Sequence, residues 1–173
     1  MRKSHSGLVL VVCLAASAPL PASEFRGTAT PADGDSIRIA GRTVDLSGID
    51  APELLQYCRE GTMSYPCGRR ATEFLASLVQ GAEVSCRRVK ARHSADKARC
   101  KVRGKDISEI LVRSGHAIAV GPSYSRAEYA ARGARAGIWA GYFMRPEQWR
   151  RRMASTSPIR LEEKTSNGTR SKP

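Results

Sequence analysis

The stretch from Asp33 to Glu53, DGDSIRIAGRTVDLSGIDAPE, limits what this chain can fold into more than any other part of it. Ile37 and Ile39 alternate with polar neighbours, and Val44 and Leu46 do the same, which is the period of half-buried strands. Ala40-Gly41 between them has the length of a hairpin connection. Folding back at that point brings the two ends of the stretch together, and with them Asp35, Asp50 and Glu53. Two of these carboxylates suit a hard cation, which prefers oxygen donors, and one suits proton transfer.

The elements around this hairpin follow from the same periodicities. Phe25 to Thr30 reads as a strand, turned at Asp33-Gly34, so that the first three strands form a meander. From Gly68 to Val79, Ala71, Phe74, Leu75, Leu78 and Val79 recur at helical spacing, and the helix ends near Gly81. Glu83 to Val89 and Lys97 to Val102 read as two further strands. Asp106 with Glu109 makes a capping-box start for a helix carrying Ile107, Ile110 and Leu111, and Ser125 with Glu128 repeats that device for a third helix.

DGDS followed by GIDAPE resembles the thermonuclease family, the staphylococcal-nuclease-like proteins. The likeness continues through CGRRATEFLASLVQG, ARCKVRGKDISEILVRSGHA and RAEYAARGARAGIWAG, and covers about residues 25 to 141. It implies an α+β fold, a five-stranded OB-fold β-barrel with three helices, whose open face commonly binds oligonucleotides or oligosaccharides. It also implies a reaction: a calcium ion (Ca2+) held by Asp35 and Asp50, with the Ala51 carbonyl beside them, polarises a phosphodiester, and Glu53 is the base for the attacking water.

Two departures from the family pattern bear on that reaction. The family places an arginine five residues before the aspartate of IDAPE, and this chain has Asp45 there. A second arginine belongs to a turn before the last strand, where RHSADKARC aligns Ala95. Losing one preorganised donor to the transition state costs about a hundredfold to a thousandfold in rate, and Asp45 adds repulsion of the substrate phosphate. Arg38, Arg42, Arg92 and Lys97 are the cations nearby in sequence that offer a substitute, or an ion pair for Asp45. The expectation is a protein weak or inactive as a phosphodiesterase. A narrower likeness, in the leader and the GIWAGYFMRPEQWRR ending, is to rhizobial members of the family named for succinoglycan biosynthesis, which implies a link to an exopolysaccharide pathway.

Arg2 and Lys3, an apolar run from Leu8 to Ala16 and small residues up to Ser23 have the layout of a secretory signal peptide, with cleavage after Ala22 suiting the pattern. Residues 1–22 are therefore expected to be a leader, 23–141 the nuclease-like domain, 142–153 an extension rich in Trp and Arg, and 154–173 a disordered tail in which Asn167-Gly168-Thr169 fits a glycosylation sequon. In the extension, Phe143 and Trp149 are expected to pack on the domain and Arg150, Arg151 and Arg152 to stay in water. The mature protein is expected in the periplasm or outside the cell, with no membrane span.

The charge balance, 29 Lys and Arg against 16 Asp and Glu, suits an anionic polymer as partner, either nucleic acid or acidic polysaccharide. Cys58, Cys67, Cys86 and Cys100 lack CxxC spacing, so thiolate zinc is disfavoured and disulfides are favoured. Three connectivities exist; Cys86 and Cys100 lie in the two strands of one candidate hairpin, and Cys58 and Cys67 bracket a loop. No glycine-rich phosphate loop is present, which argues against a nucleotide cofactor, and His93 and His116 have no partner in a nucleophile or zinc pattern.

Overall fold

The computed structural model describes residues 24–89 and 96–156. The leader, Arg92, His93, Ala95 and the tail beyond Thr156 lie outside the described residues. In chain order the strands and helices are β1 (Glu24–Pro31), β2 (Ser36–Ile39), β3 (Arg42–Leu46), β4 (Ile49–Asp50), β5 (Cys58–Glu60), β6 (Met63–Tyr65), α1 (Cys67–Val79), β7 (Glu83–Arg88), β8 (Lys97–Val102), β9 (Lys105–Asp106), α2 (Ile107–Arg113), β10 (Ile118–Ala119), α3 (Ser125–Gly133) and α4 (Pro146–Thr156).

The predicted hairpin forms between β2 and β3, with Ile37 opposite Val44 and Ile39 opposite Arg42. Ala40 and Gly41 both take positive φ, 49° and 72°, the two-residue turn whose twist matches that of its strands. The main sheet runs β3-β2-β1-β7-β8-β9, and a parallel pairing of β3 with β8 closes the first five strands on themselves. That is the five-stranded OB-type arrangement expected from the sequence, with α1, α2 and α3 following in the expected order. A fourth helix, α4, stands in the C-terminal extension and runs to Thr156.

Inward-facing residues of β1, β2, β3, β7 and β8 meet the apolar face of α1 in one core: Ala29, Ile37, Val44, Leu46, Val84, Val102 and Leu75 are all buried. On α1, Ala71, Leu75 and Val79 are buried while Phe74 and Leu78 pack at the margin, so the helical periodicity located the right face. A second, smaller cluster joins Cys58, Cys67, Ile118 and Ile138, with Trp139 and Phe143 packed against it and meeting each other edge to face, their ring centroids 5.0 Å apart. No helix among the described residues is long and apolar enough to cross a membrane.

Capping follows the sequence at one helix and departs from it at another. Asp106 caps α2 by accepting the Glu109 N–H at 3.2 Å. At α3 the hydroxyl of Ser125 donates instead to the Pro122 carbonyl, and Glu128 accepts the Ala119 N–H of β10 and pairs with Arg132. The acid that looked like a cap therefore ties α3 to β10.

Both disulfides close locally. Cys86 pairs with Cys100 directly across β7 and β8, with Cα atoms 4.1 Å apart, and Cys58 of β5 pairs with Cys67 at the start of α1, 5.6 Å apart. Loop-closure entropy assigns roughly 3 and 2.5 kcal/mol to bridges of these spans. Replacing either pair by serine is expected to lower the free energy of unfolding by about that much in a denaturant titration. An unchanged midpoint for both would show that the bridges do not constrain the unfolded chain.

Candidate functional site

The turn after β1 starts the site. Asp33 Oδ1 accepts the Asp35 N–H at 3.0 Å, the local hydrogen bond that makes an aspartate a good turn former. Gly34 is required by contact: a Cβ there would lie 2.8 Å from the Ala51 Cβ and 3.0 Å from the Ala71 Cβ. The DGD turn is thus pressed against the IDAPE segment and α1 at once. Asp35 Oδ2 accepts the Ala51 N–H at 2.8 Å across the join. Burial pushes the Asp35 carboxyl up to about 8; the Ala51 N–H opposes that shift, and Asp33 and Asp50 add to it through like charge.

Asp50 sits at the end of β4, opposite Ile118 of β10. Glu53 follows in a loop fixed by two neighbours that sequence reasoning did not single out. Gln56 is wholly buried; its Oε1 accepts the Glu53 N–H at 3.2 Å, and its Nε2 donates to the Met144 carbonyl at 2.6 Å. Gly68, in the first turn of α1, lies so close to the Glu53 carbonyl that a Cβ would fall 1.7 Å from that oxygen. The same amide that holds Glu53 therefore joins the site to the C-terminal extension.

The extension returns a cation to the site. Arg150 of α4 grips Asp50 with both terminal nitrogens, Nη1 to Oδ1 at 2.9 Å and Nη2 to Oδ2 at 3.2 Å, and Nη1 also donates to Glu53 Oε1. This corrects the expectation that Arg150 stays in water with Arg151 and Arg152: its side chain is half exposed, but its charged end is spent on two carboxylates. Its pKa is raised further, above all by the hydrogen bonds it donates to Asp50. Among the described residues Arg151 pairs only with Glu147, one helical turn back. The sequence signal for Arg150 is faint, because three consecutive arginines share one composition and only the helix phase set by Pro146 tells them apart.

Asp35 and Asp50 line a cavity of about 490 Å³ together with Asp45, Lys97, Glu147 and Arg150, while Glu53 stands outside its lining. Asp45, on β3, is register partner of Lys97 on β8, and among the described residues Lys97 is the nearby cation that reaches this cavity. Arg42 instead lies over the Phe25 ring at 5.1 Å. His116 stacks on Phe74 with centroids 4.0 Å apart, and its pKa is lowered by burial and then by Arg70.

A calcium ion at Asp35 and Asp50, as the family resemblance implies, requires their oxygens. With α4 docked those oxygens do not fit a cation: one of Asp35 is given to Ala51 and both of Asp50 to Arg150. Among the described residues no group of three or more His, Cys, Asp or Glu is placed to hold a metal ion.

A separate cavity of about 810 Å³ opens on the outer face of β7, β8 and α2, lined by Arg87, Arg99, Lys101, Lys105 and Arg113. Two of its acids are occupied, Glu109 with Arg113 and Asp106 with the Tyr124 hydroxyl, so the lining keeps a positive excess.

The five-stranded closed sheet, the DGD turn and the IDAPE segment define a staphylococcal-nuclease-like domain, and the chain belongs to that family: the model for the staphylococcal nuclease homologue matches residues 43–141. Asp50 and Glu53 fall inside that match, whereas Asp35 precedes it and Arg150 lies beyond it. The chain is also 31% identical over 141 residues to the succinoglycan biosynthesis protein ExoI of Rhizobium meliloti (strain 1021), covering 77% of this chain and 74% of that protein.

Proposed function

We propose that this chain is an exported member of the nuclease-like family with a degenerate phosphodiester-cleaving site, weak or inactive as a phosphodiesterase, that serves exopolysaccharide biosynthesis. The observation that carries the first half is the Arg150 guanidinium shared between Asp50 and Glu53. A guanidinium hydrogen-bonded to two carboxylates is not free to receive the charge that builds on phosphoryl oxygens, and a carboxylate held by arginine is a poor base. Asp45 in the same cavity opposes an incoming phosphate.

The pathway rests on the likeness to ExoI, and export on the leader-like residues 1–22 together with two disulfides, which persist in oxidising compartments. The basic cavity on β7, β8 and α2 favours a second reading of the same chain, a noncatalytic binder of an anionic polymer.

The test is digestion of DNA and RNA in calcium by the parent and by a variant combining Asp45→Arg and Ala95→Arg with Arg150→Gln, which frees Asp50 and Glu53. The parent is expected near background, and the variant faster by about a hundredfold or more. Rapid digestion by the parent would sink the reading and leave an active calcium-dependent nuclease in its place.

A further inference from the structure

The C-terminal extension is fastened at its base and exposed along its shaft. Arg59 and Tyr142 exchange backbone hydrogen bonds at 2.9 and 2.8 Å, Gln56 holds the Met144 carbonyl, and Pro146 is buried. From Glu147 onward every residue of α4 is exposed except the part-buried Trp149. Among the described residues, the only hydrogen bonds and ion pairs that α4 side chains make outside their own helix are those of Arg150. A helix anchored at one end is thus held over an acid pair by one partly exposed side chain, a contact of modest strength.

We propose that α4 is an autoinhibitory arm: Arg150 is the resident cation of the Asp50–Glu53 pair, and a divalent cation gains that pair only by displacing it. The proposal rests on reading Asp50 and Glu53 as the acids of the family site, and deepens that reading by naming what closes it. Displacement leaves the guanidinium beside the cavity and exposes its carboxylates, so the cation and the docked helix exclude each other. The matched family region ends at residue 141, before α4 begins.

The experiment is calorimetric titration with calcium chloride of the parent, Arg150→Gln and Arg150→Lys, alongside hydrogen exchange of residues 146–156 with and without calcium. Arg150→Gln is expected to bind calcium about five- to tenfold more tightly than the parent, the span a bidentate, half-exposed ion pair supports. Arg150→Lys, a point charge without the fork, is expected to fall between them. Saturating calcium is expected to lower the protection of α4 amides in the parent. In Arg150→Gln that protection is expected to be low already and indifferent to calcium.

Equal affinities in the parent and Arg150→Gln would overturn the proposal, as would calcium binding that leaves α4 protection unchanged, or no calcium binding by any of the three. None of these readouts is digestion. An arm that fails the test can cover an inactive site, and a parent that digests DNA rapidly can still show the affinity difference, so the two readings fail separately.

Discussion

Asp35→Asn is expected to raise stability above pH 4 by an amount that grows with pH and levels off near pH 8. In the parent the buried carboxyl keeps its proton up to about 8, whereas the unfolded chain releases it near 3.8. Below pH 4 both states hold the proton and the site costs nothing. As pH rises toward 8 the unfolded state is stabilised by ionisation and the folded state is not, so the parent loses about 1.4 kcal/mol per pH unit over that window. The cost at pH 7 is about 4 kcal/mol by that arithmetic. An asparagine escapes it, since its amide oxygen accepts the Ala51 N–H and its amide nitrogen donates toward Asp33. Melting temperatures of the two proteins in chelator, from pH 4 to pH 9, measure the effect. A gap that does not widen with pH would mean that Asp35 ionises normally in the folded protein.

Gly68→Ala is expected to cost about 3 kcal/mol or more, at the upper end for overpacking, because the obstacle is backbone. A methyl group there meets the Glu53 carbonyl oxygen at 1.7 Å and its carbon at 2.5 Å, and no rotamer relieves either contact. The loop bearing Glu53 must move or α1 must start later, and Gln56, which accepts the Glu53 N–H, moves with it. Denaturant midpoints for Gly68→Ala beside Gly133→Ala, where an added Cβ meets nothing within 4 Å, isolate the clash. Similar midpoints for the two would show that the Glu53 loop yields freely.

The part of the fold written in local pattern was legible. Alternation placed β2 and β3 and the turn between them, and helical spacing located the buried side of α1. Asp35, Asp50 and Glu53 were marked by motif, and the structure brings Asp35 against Ala51 and links Asp50 to Glu53 through Arg150. What was not legible depends on partners far away in the chain. Arg150 meets Asp50 across 100 residues and Gln56 meets Met144 across 88, and no local period encodes such pairings. Glu128 carried a capping pattern but faces β10, because a carboxylate three residues after a serine serves whichever N–H the packing leaves nearest.

The short connection between the Tyr142 bridge and Arg150 has a quantitative consequence. Because the guanidinium is covalently joined to the domain it visits, its local concentration at Asp50 is set by the length of that connection and stays the same however far the protein is diluted, in the millimolar range typical of short linkers. Any free ion must therefore compete with a rival whose abundance never falls, and occupancy of these carboxylates tracks ion concentration alone.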